Sequence, residues 1–298
     1  MLTERMGRPP RRIAVIGGGI SGMAAAHLLA PDHHVTLIEA APRLGGHART
    51  VIAGKRHDQP VDTGFIVFNR VNYPLLTQLF TDLDVPVVPS DMSFGASIDG
   101  GRIEYGLRNL RAVFAQRRNV FRPEFMRMIR DILRFNARAV RDADDPTMTI
   151  GDLLEKIGTG NWFRDYYIAP LSGAIWSTPT RGILSFPAQA LIRFFENHAL
   201  LSYTGQHQWL TVKGGSVAYV TRLEAALRRA GVTIRMSAPV AAVRRTALGV
   251  EIRCENAEWE CFDEVVFASH SDDALAMLSD ASHTERAALS SIRFQPNE

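Results

Sequence analysis

Apolar positions fall into different textures along the chain, and each texture predicts its own kind of element. Near the start, Ile13–Ile16 is a short apolar run, Ile20–Leu29 has helical composition, and Val35–Ile38 is a second apolar run closed by Glu39. That order predicts strand, helix, strand within about thirty residues. Two β-like runs, Thr50–Ala53 and His57–Val61, follow before Asp62-Thr63-Gly64 interrupts the pattern. From Tyr73 to about Gln208 helical patterning takes over, with candidate helices at Leu107–Gln116, Pro123–Val140, Ile150–Ile157, Trp162–Leu171 and Pro187–Ala199. After Trp209 the βα texture returns as Leu210–Val212, a helix over Val217–Arg229 and a strand over Val232–Met236. Val240–Arg244, Val250–Cys254 and Glu258–Cys261 then read as an antiparallel meander, and Glu264–Ala268 as a buried strand. The fold class expected is α/β: a doubly wound domain split into 1–72 and 209–298, with a mostly helical domain inserted at 73–208. No internal repeat or low-complexity tract occurs.

Composition agrees with that picture and narrows the function. A chain of 298 residues, 46% hydrophobic and 22% charged, is globular and long enough for two domains. The net charge of +3 and pI of about 9.1 come from scattered basic residues, with short clusters such as Arg117-Arg118 and Arg228-Arg229, so no nucleic-acid partner is expected. Cys254 and Cys261 fall in the expected meander. Two reduced thiols in a cytosolic protein are expected, with a cross-strand disulfide as the alternative. No window approaches the ~20 apolar residues of a membrane span. Met1–Arg12 is polar and basic, and the apolar stretch behind it breaks at three glycines, so it reads as the approach to a first strand rather than a signal peptide.

The first chemistry-bearing motif is Gly17-Gly18-Gly19-Ile20-Ser21-Gly22, a G-x-G-x-x-G pattern set directly after a strand and opening a helix. In that context Gly17 permits a tight turn, Gly19 lets backbone approach a pyrophosphate, and Gly22 lets helix and strand pack closely. The helix start at Ile20 and Ser21 then offers free N–H groups and a positive dipole end to the phosphates. Glu39, at the tip of the second strand, suits both hydroxyls of an adenosine ribose and repels a 2′-phosphate, which disfavours NADP. The competing reading is a glycine turn with a surface glutamate in an unrelated α/β protein.

Arg43-Leu44-Gly45-Gly46-His47 carries the argument further. Here the chain resembles the flavin-containing amine oxidase superfamily, which includes monoamine oxidases, protoporphyrinogen oxidase and phytoene desaturase-like enzymes. In that superfamily the ribose-binding glutamate leads into an R-x-G-G-R loop under the pyrophosphate of FAD, and Glu39, Ala40, Arg43, Gly45 and Gly46 lie on that match. His47 departs from the second arginine, and Arg49 is the candidate replacement cation. Val212-Lys213-Gly214-Gly215-Ser216 is similar to the superfamily's internal G-G-S segment, and Asp263–Ala268 to its A-D-x-V-V-x-A strand. The resemblance places Val240, after Pro239, against the adenine, and Asp62, Thr63 and Gly64 at the D-x-G element near the isoalloxazine. For Asp62 a plain turn cap is the equal alternative. The phrase Phe65-Ile66-Val67-Phe68-Asn69 resembles a bacterial branch described only as predicted FAD-binding amine-oxidoreductase-like proteins.

What the resemblance implies is an FAD-dependent oxidoreductase, in which hydride passes from a substrate carbon to the flavin and dioxygen or another acceptor reoxidises it. No catalytic side chain is singled out. The superfamily's closing glycine segment does not follow Ala268, so truncation is expected. Lysines occur only at Lys55, Lys156 and Lys213, whereas amine oxidases of this type commonly use a later lysine. Desaturation or oxidation of an apolar small molecule, such as a lipid or terpenoid, is therefore expected ahead of amine oxidation. A nicotinamide dehydrogenase and a non-catalytic flavin-binding protein remain as alternatives. Trp162, Phe163, Tyr166, Tyr167, Trp176, Phe186, Phe194 and Phe195 are expected to be mostly core, with the remainder lining an apolar tunnel. His198, His207 and His270 show no ligand spacing, so no metal site is expected, and no Ser/His/Asp arrangement suggests hydrolysis. A cytoplasmic location with peripheral membrane contact is expected, and the oligomeric state stays open.

Overall fold

The computed structural model describes residues 9–294 apart from 66, 92, 177–179, 203, 204, 206 and 293. Met1–Arg8 and Ile66, which the sequence reading used, thus lie outside the described residues. The chain divides into two compact units. The first holds the described residues through Phe68, then Pro74–Val88, then those from Leu210 onward. The second holds Asn69–Tyr73 and Pro89–Trp209.

In the first unit, four strands form one sheet in the order Glu264–Phe267, Arg12–Ile16, His34–Ile38, Thr233–Arg235. All three pairings are parallel, so Arg12–Ile16 has a parallel neighbour on each side. Its residues Ile13, Ala14, Val15 and Ile16 are all buried, as a central strand covered on both faces requires. The helices Ile20–Leu29 and Val217–Arg229 pack together in the same unit. A three-stranded antiparallel meander, Val240–Thr246, Gly249–Cys254 and Glu260–Phe262, adds Val243, Val250, Ile252 and Phe262 to a core shared with Ala14, Ile16 and Ile38. Cys254 and Cys261 are free thiols. The run expected at His57–Val61 begins later, at Gln59–Asp62, because Gly54 (φ 86°) and His57 (φ 51°) turn the chain first.

Pro74–Val88 packs with this unit, whereas the sequence division ran the insert from 73 to 208. The cause is Phe80, which is buried with its ring 5.3 Å from Phe68 and 5.2 Å from Tyr219.

The second unit is helical around Pro123–Asp142, whose Phe125, Met128, Phe135 and Ala139 are fully buried with Leu153, Phe163, Ile168 and Leu191. One expectation fails here. Leu107–Gln116 is not one helix: Ile103–Gly106 pairs antiparallel with Gly95–Ile98, and only Leu110–Val113 is helical, capped by the Asn109 side chain. The hairpin turns through Asp99, Gly100 and Gly101, all at positive φ. Trp162–Leu171 is helical as expected, with a π-helical turn at Arg164–Ile168 running into the helix Ala169–Trp176.

Candidate cofactor site

Two glycine loops meet at the end of the first strand, and steric limits explain each glycine. A Cβ on Gly17 (φ 110°) would lie 2.6 Å from the Ala268 carbonyl oxygen, and one on Gly22 would lie 1.8 Å from that of Gly17. Neither position accepts a side chain. Gly19 differs, because its Cβ would meet nothing nearer than the Gly46 Cα at 4.0 Å. Space therefore lies open at Gly19, at the head of the helix Ile20–Leu29. That helix start has no side-chain cap and no acidic residue in its first turn. Its first N–H groups have no intrahelical partner, so they can donate to an anion placed there with the positive dipole end behind it.

The second loop, Arg43–Gly46, is tied to the first by the Gly45 N–H, which donates to the Gly18 carbonyl at 2.8 Å. Gly45 (φ 104°) and Gly46 (φ 55°) both need left-handed backbone, and a Cβ on Gly46 would stand 3.0 Å from the Gly19 Cα. Arg43 turns back on its own loop, donating to the carbonyls of Gly46 at 2.9 Å and Leu44 at 3.3 Å.

Glu39 links the elements around this cradle. One carboxylate oxygen accepts from the Gly18 N–H, and the other from Ala41 N–H at 2.8 Å. Each oxygen retains a further acceptor site for a hydroxyl. The Glu39 carbonyl accepts from Ala238 N–H at 2.9 Å, and that of Ala41 from Ser237 N–H at 3.0 Å, so the stretch leading to Val240 runs beside Glu39, Ala40 and Ala41. Val240 itself pairs with Cys254, and the register shifts between Val240 and Ala242. The structure thus brings Gly17, Gly19, Ile20, Ser21, Gly22, Glu39, Gly45 and Gly46 into one place, with Val240 two residues beyond the Ala238 bond. These residues fit a dinucleotide, on the open space at Gly19 and the uncapped helix start.

Asp62 is engaged by the protein itself. Its carboxylate accepts from Ser216 N–H at 2.9 and 3.0 Å, from Ser216 Oγ at 2.7 Å and from Thr50 Oγ1 at 2.6 Å. Thr50 Oγ1 accepts in turn from Val217 N–H at 3.0 Å. Asp62 and Thr50 therefore hold the hairpin Thr50–Ala53/Gln59–Asp62 on the start of the helix Val217–Arg229, where a carboxylate also meets the favourable dipole end. This is a cap on a distant helix start, made across 154 residues of sequence, and not the local turn cap weighed for Asp62. It accounts for Gly215 as well, whose Cβ would lie 2.6 Å from Thr50 Cγ2, and for the complete burial of Ser216. Sequence reading gave the G-G-S segment no physical role; Ser216 stands at the helix start without capping it, its hydroxyl donating to Asp62 instead, so no local cap signal identifies the segment. The nearby Tyr219 hydroxyl is pushed up to about 12, first by burial and then by the Asp62 charge.

Thr63 donates its N–H and hydroxyl to the Arg49 carbonyl, at 2.9 and 3.1 Å, while a Cβ on Gly64 would strike the His47 carbonyl oxygen at 2.1 Å. Both residues thereby brace the segment 47–49. The Arg49 and His47 side chains are exposed. His47 stacks on His270 at 5.5 Å, and His270 on Phe294 at 4.0 Å. His270 also places a ligand atom within 4.8 Å of one each from Asp272 and Asp273, a grouping that sequence spacing did not show; all three are exposed.

In the second unit the aromatic residues pack as core. Phe163, Tyr167 and Phe195 are buried, and Trp162, Tyr166, Trp176, Phe186 and Phe194 pack partly buried against them. Burial pushes the Tyr167 hydroxyl up to about 12. His198 is stacked between Phe194 (4.1 Å) and Trp209 (5.7 Å), with Nδ1 2.8 Å from the Phe194 carbonyl oxygen.

A family model described as flavin containing amine oxidoreductase matches residues 20–297 of this chain. In sequence, 42 residues are 48% identical to an L-amino-acid oxidase of Sistrurus catenatus edwardsii, over 14% of this chain and 8% of that protein. Among solved structures, putrescine oxidase bound to putrescine superposes with a TM-score of 0.68 at 17% identity, over 94% of this chain and 63% of that one. Cyclohexylamine oxidase from Brevibacterium oxydans IH-35A gives 0.67 at 19% identity, over 95% and 63%. A CLA-producing fatty acid isomerase from P. acnes gives 0.56 at 16% identity, over 94% and 63%. The chain spans less than two thirds of the length of these proteins, and at such identities the structural likeness is one of fold.

Proposed function

The chain belongs to the flavin containing amine oxidoreductase family, and we propose that it is an FAD-dependent oxidoreductase acting on an apolar substrate. The observation that carries the cofactor reading is the open space at Gly19, between the second glycine loop and an uncapped helix start. In this reading the N–H groups at Ile20 and Ser21 bind the FAD pyrophosphate. Glu39 accepts from the ribose hydroxyls while its bonds to Gly18 and Ala41 hold the loop in shape, and the backbone of Val240 lies along the adenine. Arg43 stabilises the second loop from within, and Asp62 acts at one remove, by fixing the hairpin that precedes Thr63 and Gly64. Arg49 and His47 supply cationic or polar contacts on the exposed side. Bound flavin supplies the capacity to accept a hydride; the protein's share is binding, orientation and exclusion of water.

The substrate reading rests on less. An apolar molecule such as a lipid is supported by the fatty acid isomerase among the structural neighbours and by the lack of any lysine after Lys213 in the chain. Amine oxidation is the second reading, favoured by the match to L-amino-acid oxidases and by the likeness to two amine oxidases. A visible spectrum of the purified chain with added FAD tests the cofactor reading, and a colourless protein that retains no FAD would end it. Anaerobic mixing with lipid and amine panels tests the substrate. Flavin bleaching by lipids is expected, and bleaching by amines alone would reverse the order of the two readings.

A further inference from the structure

Ten of the chain's 34 basic residues fall on one helix and the segment leading into it. Between Arg108 and Asp142 the chain carries ten arginines against three acids, Glu124, Asp131 and Asp142; Asp131 and Asp142 are buried, Asp131 pairing with Arg130 and Arg134 and Asp142 with Arg138 and Arg141, so the acids offset four of the ten. In the helix Pro123–Asp142 the inward face is apolar core. Its outward face is unusual. Met126, Leu133 and Val140 recur every seven residues, so they form one line along the helix, and they are 41%, 50% and 50% exposed. Arg127, Arg134 and Arg141 each follow one of them and so form a parallel line about 100° further round. Arg130 lies between the lines. Just before the helix, Val120 and Phe121 are exposed as well, Phe121 by 86%. Among the described residues Arg111, Arg117, Arg122 and Arg127 make no ion pair.

We propose that this face docks on an anionic lipid surface, with Met126, Leu133, Val140 and Phe121 entering the headgroup boundary and the arginine line binding lipid phosphates. Charge complementarity selects this occupant. A second copy of the chain would bring arginine lines against each other, at a repulsive cost. Nucleic acid would leave the aliphatic line without a partner, because its recognition uses cations with stacking aromatics. An amphipathic helix with an apolar line and a basic edge, its guanidinium groups reaching outward past their own methylenes, is the form that lies in a membrane interface. The helix lies on the bilayer and does not cross it: no described helix is long and apolar enough to span one.

The proposal is independent of the flavin assignment and is tested without turnover. The full chain is floated with vesicles of phosphatidylcholine alone or with a third phosphatidylglycerol. Binding is expected only to the anionic vesicles and should fall steeply as salt rises. Arg127→Gln should weaken binding about fivefold, the effect of one cation near such a surface, and Leu133→Glu should weaken it at least tenfold. Both side chains are exposed, so the melting temperature should hold, which separates lost docking from lost folding. Absence of binding to anionic vesicles, equal binding to neutral ones, or unchanged binding by a folded Leu133→Glu would each overturn the proposal. So would self-association through this face, seen as a dimer that Leu133→Glu dissociates.

Discussion

The two units use their sequences in opposite ways. In the first unit, candidate function sits in the backbone: Gly17, Gly22, Gly45, Gly46, Gly64 and Gly215 are positions where a Cβ would strike neighbouring atoms or demand left-handed geometry. In the second unit, identity sits in volume: a core of Phe, Leu, Ile and Met that many other apolar choices could fill. A site built on steric prohibition tolerates almost no substitution. A packed helical core tolerates conservative ones, so it is free to diverge around whatever it binds.

The sharpest test of this contrast compares two glycines three residues apart. Gly22→Val should destabilise the first unit by about 4 kcal/mol or more, because the added side chain begins 1.8 Å from a carbonyl oxygen and backbone must move. Gly19→Val should cost folding less than about 1 kcal/mol, since beyond its chain neighbours nothing comes nearer its Cβ than the Gly46 Cα at 4.0 Å. Yet it should abolish FAD retention, because the branched side chain fills the cradle. Thermal melts and flavin absorbance on both variants check this pair. A Gly19→Val protein as yellow as the parent would remove the cradle from the cofactor site.

Next in size is Asp62→Ala. It strips the buried Ser216 N–H and hydroxyl of their acceptor and should cost about 2–4 kcal/mol of stability, with FAD affinity affected through the shifted hairpin. Asp62→Asn keeps one acceptor oxygen and should recover part of this. If both variants melt like the parent while FAD binding falls, Asp62 belongs to the cofactor rather than to the helix start.

Glu39→Ala should follow, weakening FAD binding by about 1–3 kcal/mol in a titration of apoprotein. The structure adds a second reason to the ribose contact, since the Gly18 and Ala41 N–H groups also lose their acceptor. FMN, which lacks adenosine, should bind far more weakly than FAD to the parent and show little response to this substitution.

Legibility followed the same division. Gly17–Gly22, Glu39 and Gly45-Gly46 could be read in one dimension because the stereochemistry that demands glycine is local. The bond between Asp62 and Ser216 could not, since nothing nearby in sequence specifies which distant helix a carboxylate caps. In the second unit the helix Ile150–Ile157 was legible from its periodicity, but the hairpin at Gly95–Ile98 and Ile103–Gly106 was hidden by helix-compatible neighbours despite its Asp99-Gly100 turn. The lipid-facing arrangement proposed for Pro123–Asp142 is invisible in net charge, because it depends on the angular positions of arginines and apolar residues around the helix axis.

The smallest expected effect separates the units by what surrounds one shared device. A capping box occurs in each: Thr149 with Asp152 in the second unit, and Ser282 with Glu285 in the first. The helix behind Thr149 buries Ile150, Leu153, Leu154 and Ile157, whereas the helix His283–Ser291 buries no residue. Thr149→Ala should therefore lower the melting transition, by about 1 kcal/mol, because the cap is cooperative with a core. Ser282→Ala should leave that transition in place and speed amide exchange only within 283–291, since a helix that buries no residue frays by itself. Acid should loosen both boxes, since the Thr149 bonds lower the Asp152 carboxyl too. Hydrogen bonding to Arg245 and then to Ser282 lowers the Glu285 carboxyl from 4.5 to about 2. A group depressed on folding contributes above its unfolded value and loses that contribution as pH falls towards its folded one. Protection of 283–291 should thus be full above about pH 4.5 and decline between there and pH 2. Amide exchange followed across that window checks the sign: protection that rises on acidification would mean that the Ser282, Arg245 and Glu285 contacts do not hold this helix.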